Sequence, residues 1–270
     1  MRSFNMINIK QLKSLIGDRK PTIAIMLGSG LGDIAKTIQS PLEIKYTEIE
    51  NFPESTVKGH TGQMTIGKIG NKEVLCLQGR FHLYEGYPSH VIFEVIHALK
   101  KIGIKEIIIT NASGSLNPSF RPGGIMIIKD HINFSGQNPL INVTNKISPH
   151  FNDMSNAYDE KLSNRAKEIA TNKKIAVYEG VYLMVLGPSF ETPAEVELFR
   201  HFGADAIGMS TVPEVIASVD QKIKVVAFSA LTNFGAGMQN SKLSHAQTLK
   251  QATKAANNLA KLITYFVKEQ

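Results

Sequence analysis

The sequence predicts an α/β fold organised as a single domain. Three observations carry this. Short apolar, β-branched runs alternate along the chain with longer runs of helical period. Several of the strand-like runs end in a glycine or a small polar loop, so these loops are expected to converge on one cleft at the strand ends. No repeat, low-complexity tract or linker divides the 270 residues, a length that one large domain or two small ones could fill.

Composition narrows the function classes. Hydrophobic residues make up 43% and charged residues 20%, enough for a substantial core and against disorder. Cys76 is the only cysteine and lies in the apolar run 74–77. An internal disulfide is impossible, no Cys/His zinc spacing exists, and a reducing, cytoplasmic setting is expected. No run approaches 18 apolar residues and the N-terminus has no continuous apolar region, so neither a membrane span nor a signal peptide is expected. The net charge is +7, but the lysines are scattered. A nucleic-acid binder more often shows a basic stripe with interleaved aromatics. A small anionic substrate suits the positive balance equally well.

Taken in order, residues 1–20 read as a short polar helix. Residues 22–27 form a buried strand that runs into Gly28-Ser29-Gly30-Leu31-Gly32 and a short helix from Asp33. Strand, glycine turn and helix point backbone N–H groups at an anion. The dinucleotide fingerprint needs glycine where Asp33 stands, and the Gly-Lys-Ser/Thr of a P-loop is absent. Gly59-His60-Thr61-Gly62 precedes strands at 64–69 and 73–78, joined at Gly70-Asn71 by a hairpin turn. His60 alone is more often structural than catalytic.

Arg80, His82 and Tyr84 then alternate. If the strand continues, a guanidinium, an imidazole and a phenol share one face, a good site for an oxyanion and a hydroxyl. The competing reading is a solvated polar face. Residues 89–102 carry apolar positions at helical spacing, and 106–110 is a strand ending in the loop Asn111-Ala112-Ser113-Gly114. A strand at 125–128 follows the turn 121–124. Residues 130–154 are polar and aperiodic, and a stretch of that length is usually functional. A helix covers 159–170.

Residues 181–186 read as a buried strand that stops at Gly187-Pro188. Phe190 and Glu191 lie on its exit loop, and Pro193 sits one place before the amphipathic run 194–202. An aromatic plate and a carboxylate at a strand's C-terminal end suit a flat heterocycle with N–H donors along one edge. The competing reading is a helix start with an acid beside it. A strand at 204–209 leads through Ser210-Thr211-Val212-Pro213-Glu214 into a helix. A strand at 224–231 ends in Thr232-Asn233-Phe234-Gly235, and a long helix starts after Ser244-His245 and runs to about residue 267.

Leu-Gly-Ser-Gly-Leu-Gly, Arg-Phe-His-Leu-Tyr-Glu-Gly, Gly-Pro-Ser-Phe-Glu-Thr and Gly-Met-Ser-Thr-Val-Pro-Glu follow one another in order. With them the chain resembles the trimeric purine nucleoside phosphorylases, from about residue 22 to the final helix. Each motif is modestly specific alone, and together they are highly specific. Ser113 stands where alanine is common and Phe234-Gly235 varies in that family; neither departure removes a functional group.

The resemblance implies one nucleoside phosphorylase domain over 1–270, its mixed twisted sheet flanked by helices and partly closed into a distorted barrel. It implies reversible phosphorolysis of inosine and guanosine or their deoxy forms, in purine salvage, by a homotrimer. Phosphate is the co-substrate, and no cofactor or metal is needed. Phosphate would be held by Ser29, Arg80, His82, Ser210 and the Ala112 N–H, with His60 nearby. The ribose would contact Tyr84, Met209 and, at its 5′ end, His245. The purine would lie on Phe190 and bond Glu191 and Asn233, with Tyr182 lining the pocket and Phe151 reaching a neighbouring subunit. Glu191, Asn233 and His82 would be the catalytic groups.

Three alternatives stand beside this. A 5′-methylthioadenosine phosphorylase shares the scaffold, but Glu191 and Asn233 suit a 6-oxopurine and His245 suits a 5′-hydroxyl. An NAD-dependent oxidoreductase would need the missing fingerprint. A nucleoside-binding protein without turnover would have no use for Arg80, His82 and Ser210 as an anion site.

Overall fold

The structure, a computed structural model, describes residues 6–55, 61–141, 143, 151–238 and 245–269, and of 245–250 the backbone alone. The strands are β1 (Ile23–Met26), β2 (Gln39–Lys45), β3 (Gln63–Ile69), β4 (Lys72–Gln78), β5 (Glu106–Ser115), β6 (Ile125–Asn133), β7 (Val177–Met184), β8 (Ala206–Gly208) and β9 (Lys224–Phe234). The helices are α1 (Ile9–Ile16), α2 (His90–Lys101), α3 (Glu160–Asn172), α4 (Pro193–His201), α5 (Val212–Asp220) and α6 (His245–Lys268). No helix among the described residues is long and apolar enough to cross a membrane.

The strands join in one mixed sheet ordered β2-β3-β4-β1-β5-β8-β7-β6-β9, and β9 returns to pair with β5. Thus β5, β8, β7, β6 and β9 close a barrel, and the other strands form an open wing. The strand runs are apolar on both faces because each face has a cover. On β1, Ala24 and Met26 pack in the core that includes α2 and α5, while Ile23 and Ile25 pack in the core of α3 and α6. Val225 and Ala227 of β9 divide from Val226 and Phe228 in the same way. Alternation along a strand deals an unbroken apolar run to two helical layers.

The point that positions the site is a fork on β5. One edge of β5 pairs with β9 from Glu106 to Ser115. The other pairs with β1 only from Glu106 to Ile109, and with β8 only at Gly114 and Ser115. Among the described residues, 110–113 therefore have no strand on that edge. The Thr110 hydroxyl bridges the fork, donating to the Met26 carbonyl (3.1 Å) and accepting from the Gly28 N–H (3.0 Å). A side chain at position 28 would stand 2.7 Å from both Asn111 Cα and the Thr110 carbonyl, so only glycine lets the first loop approach the gap.

Several sequence expectations need correction. The strand at 72–78 does not continue through Arg80, His82 and Tyr84. The chain turns at Gly79, and Leu83–Glu85 form a 3₁₀ turn. Residues 111–114 are not a loop but the second half of β5, paired with β9 throughout. Residues 130–133 belong to β6 and pair with β7. The edge strand β2, mostly exposed, was not expected at all.

Candidate active site

A cavity of about 670 Å³ opens at the fork. Its walls come from the ends of β1, β5, β8 and β9, the turn after β4 and the loop before α4. Of the expected site residues, Ser29, Arg80, His82, Tyr84, Ala112, Phe190, Glu191, Met209, Ser210 and Asn233 all line it. His60 and the side chain of His245 lie outside the described residues.

Arg80 anchors the floor. It is 1% exposed, and its Nε lies 2.9 Å from Oε1 of Glu214, a residue of α5 that is itself 2% exposed. The same guanidinium donates through Nη1 to Ser210 Oγ (2.7 Å) and to Thr211 Oγ1 (3.3 Å). A cation is kept in the core because a carboxylate balances it and hydroxyls accept from it. Along β5, Asn111 and Ala112 follow at the fork, with Ser29 from the first loop close by.

His82 lies beside this cationic floor. Its backbone N–H and Nδ1 both meet Glu85 Oε1, at 2.7 and 3.0 Å. A carboxylate only accepts, so Nδ1 carries the hydrogen of this contact and the ring is held in one orientation. The Glu85 side chain is 3% exposed, so the pair is shielded from water. The sequence reading missed Glu85; the signal available was its three-residue spacing from His82, visible only to someone expecting a tight turn there. The Tyr84 ring stacks on His82 at 4.7 Å. Burial raises the Tyr84 phenol above its ordinary range, Glu85 adds to the rise and Arg80 opposes it.

The upper wall carries Phe190, Glu191 and Asn233. Thr192 caps α4, accepting from the Glu195 N–H (3.2 Å) while Glu195 Oε2 accepts from the Thr192 N–H (2.7 Å). This reciprocal capping box fixes the loop that carries Phe190 and Glu191. Phe190 is 85% exposed at the mouth. Burial raises the Glu191 carboxyl above its ordinary value, a hydrogen bond from its own backbone opposes this, and repulsion by Glu195 adds a little. The Asn233 amide is held at both ends. Its Nδ2 donates to the Phe234 carbonyl (2.9 Å) and its Oδ1 accepts from Thr232 Oγ1 (2.7 Å). A backbone carbonyl only accepts, so Nδ2 stays a donor and keeps one N–H over.

Two more residues do not line this cavity, one expected in its wall and one expected to reach a neighbouring subunit. Tyr182, expected in the pocket wall, has no exposure and sits behind it. Its hydroxyl lies 2.5 Å from where a Cβ at Gly208 would stand, and meets the Ser210 N–H at 3.5 Å. It props the β8 turn from the back, and burial pushes its phenol up to about 12. Phe151 is 92% exposed and does not line the cavity of its own chain.

A family profile described as the phosphorylase superfamily matches residues 22–268. Purine nucleoside phosphorylase 1 of Bacillus subtilis (strain 168) is 44% identical over 248 residues, 92% of each chain. The crystal structure of Schistosoma mansoni purine nucleoside phosphorylase with inosine superposes with a TM-score of 0.89 at 32% identity, covering 97% of this chain and 94% of that one. The same enzyme with adenosine gives 0.88 at 34% identity, covering 97% and 96%.

Proposed function

The chain belongs to the phosphorylase superfamily, a purine nucleoside phosphorylase by its likeness, and we propose that it cleaves 6-oxopurine nucleosides by phosphorolysis. In this reading inosine, guanosine and their deoxy forms yield the free base and a pentose 1-phosphate. One observation carries it: a single cavity joins a buried cationic cradle to a carboxylate and an amide donor. Along β5, Ala112 in the cradle and Gly114 beside Asn233 are two residues apart, about 6.6 Å of strand. That leaves a sugar's width between an anion and a base.

The chemistry follows from charge. Breaking the C1′–N9 bond makes the sugar cationic and the departing base anionic. Phosphate held by Arg80, His82, Ser210, Ser29 and the Ala112 N–H supplies the nucleophile and faces the cation. No covalent intermediate is required. Glu191 accepts from N1–H, and the spare Asn233 N–H donates to N7 or O6 as charge builds on the base. The Asn233 donation strengthens in the transition state, while Glu191 fixes the base through N1–H. Phe190 offers its face to the purine, Tyr84 and Met209 border the ribose, and His245 is assigned the 5′-hydroxyl. Phosphate is a co-substrate, and the reading calls on no cofactor.

We further infer a cytoplasmic salvage enzyme that works as a homotrimer. Phe134, Leu198 and Phe202 lie half-exposed beside α4, with the Phe134 ring 6.2 Å from Phe202, and Phe151 is bare in the monomer. A ring of subunits would cover such a patch and let one chain's loop complete the next chain's site. A fully active monomer in sedimentation would remove this part.

A second reading, adenosine or its 5′-methylthio derivative as substrate, draws on the raised Glu191 carboxyl. In its protonated form that group donates to a bare N1. One assay separates the readings. Inosine cleavage should vanish in phosphate-free buffer and yield ribose 1-phosphate when phosphate is present. Free ribose released at the same rate without phosphate would refute phosphorolysis, and a preference for methylthioadenosine would promote the second reading.

A further inference from the structure

We propose that Thr211 is a positioning residue of the phosphate site: its side chain, clamped by Asn111 and Arg80, makes Ser210 a hydrogen-bond donor aimed into the cavity. The proposal rests on the phosphate reading above and deepens it.

The backbone draws attention to Thr211 first. Its φ is +81° and its ψ −49°, and the Val212 N–H donates to the Ser210 carbonyl two residues back, at 3.0 Å. This is a γ-turn of positive φ, a rare and strained conformation and most costly for a β-branched residue. Glycine would adopt it freely. A threonine held there, with no exposure, points to a role for its side chain.

The hydrogen bonds identify that role. Asn111 Nδ2 donates to Thr211 Oγ1 at 2.8 Å, and Arg80 Nη1 donates to it at 3.3 Å. A hydroxyl has two lone pairs and one hydrogen, so both acceptor positions are occupied. The 3.3 Å contact between the Thr211 and Ser210 hydroxyls therefore has Thr211 as its donor. Ser210 Oγ then accepts from Thr211 and from Arg80 Nη1 (2.7 Å). Its own lone pairs are filled, and its hydrogen is left for the cavity that Ser210 lines.

The clamp reaches further back. Asn111 Oδ1 accepts from Ser229 Oγ at 2.8 Å, and Asn111 immediately precedes Ala112. Ser229 and Asn111 are both buried. The chain Ser229–Asn111–Thr211–Ser210 thus ties β9 and the fork of β5 to the turn after β8. It fixes two sides of the anion cradle relative to each other.

The test compares Thr211→Val, which keeps the shape and removes the hydroxyl, with Thr211→Ser, which keeps the hydroxyl. Initial rates are measured with phosphate varied at saturating inosine, and with inosine varied at saturating phosphate. Thr211→Val should raise KM for phosphate about tenfold and leave KM for inosine within about twofold, while Thr211→Ser stays near wild type on both. An unchanged phosphate KM in Thr211→Val, or equal damage from both variants, would overturn the proposal. Should Thr211→Val fail to fold, Ser229→Ala decides. It lies away from the cavity and should raise the phosphate KM about threefold with inosine unmoved; no change refutes the clamp. A wild-type rate that ignores phosphate would sink the proposed function itself, a different outcome from any of these.

Discussion

Replacing Arg80 should damage folding as well as phosphate binding, and the two effects can be separated. Arg80→Met removes a cation that is 1% exposed and leaves Glu214, at 2%, without the partner now 2.9 Å away. Breaking a buried pair from one side costs about 3–5 kcal/mol, because the remaining charge is stranded. At roughly 2–4 °C per kcal/mol for a domain of this size, the melting temperature should fall by about 6–20 °C. The lost charge-assisted bond to phosphate should add about 1.5–3 kcal/mol to phosphate binding, roughly 10–150-fold in KM. A second change, Glu214→Gln, removes the stranded charge. The double variant should therefore recover most of the melting temperature and none of the phosphate affinity. Thermal melts followed by phosphate titrations at saturating inosine read both quantities. A double variant that regains phosphate affinity would show that Arg80 does not touch the anion. A single variant with an unchanged melting temperature would show that the pair is not buried as described.

Other perturbations probe the remaining parts. Glu85→Gln weakens the hold on His82 Nδ1 and should lower kcat/KM for phosphate about 10–100-fold, with inosine KM little affected; equal losses in both would point to general disruption. The raised Glu191 carboxyl gives a pH dependence with a definite sign. As pH falls, Glu191 gains a proton sooner than an ordinary carboxyl, loses its acceptor role toward N1–H and becomes a donor to a bare N1. The adenosine-to-inosine ratio of kcat/KM should rise on acidification, and a flat or falling ratio would contradict the N1 assignment. Asn233→Asp deletes the amide donor fixed by the Phe234 carbonyl; inosine kcat should drop about 10²–10³-fold, as for other oxyanion donors, and a variant as active as wild type would dismiss the role.

Most of the fold could be read from pattern because its strands are buried on both faces. Runs such as 23–26 and 225–228 are apolar throughout, and glycines or small polar residues follow them. The reading failed where burial is incomplete. β2 is mostly exposed and carries Pro41, and its apolar alternation is confined to Leu42 and Ile44, too short to mark a strand, as expected of an edge. Asn111 to Gly114 look like a loop because they are small or polar, yet β9 pairs with them throughout. Their side chains serve the turn and the cavity, so composition there reports function and not secondary structure. In the site, Arg80, His82 and Tyr84 were rightly grouped but for the wrong reason: a tight turn brings them together, not a strand's alternation. Tyr182 was misplaced because nothing in a sequence tells a residue that lines a wall from one that props it. Glu85 and Thr211 were missed because their parts depend on backbone angles and partners that are remote in sequence.

The gap on β5 also bears on solubility. A strand edge with no neighbour is an invitation to other chains, and proteins usually guard it with charge, proline or a bulge. Here the unpaired stretch is four residues long, between Ile109 and Gly114, and sits at the back of a cavity. An invading strand would need a longer, open approach to form a ladder. A small tetrahedral anion needs only one or two N–H groups and fits where a polypeptide does not. The exposure that would mark a sheet as sticky is filtered here by size: the gap is open to a small solute and closed to a neighbouring chain.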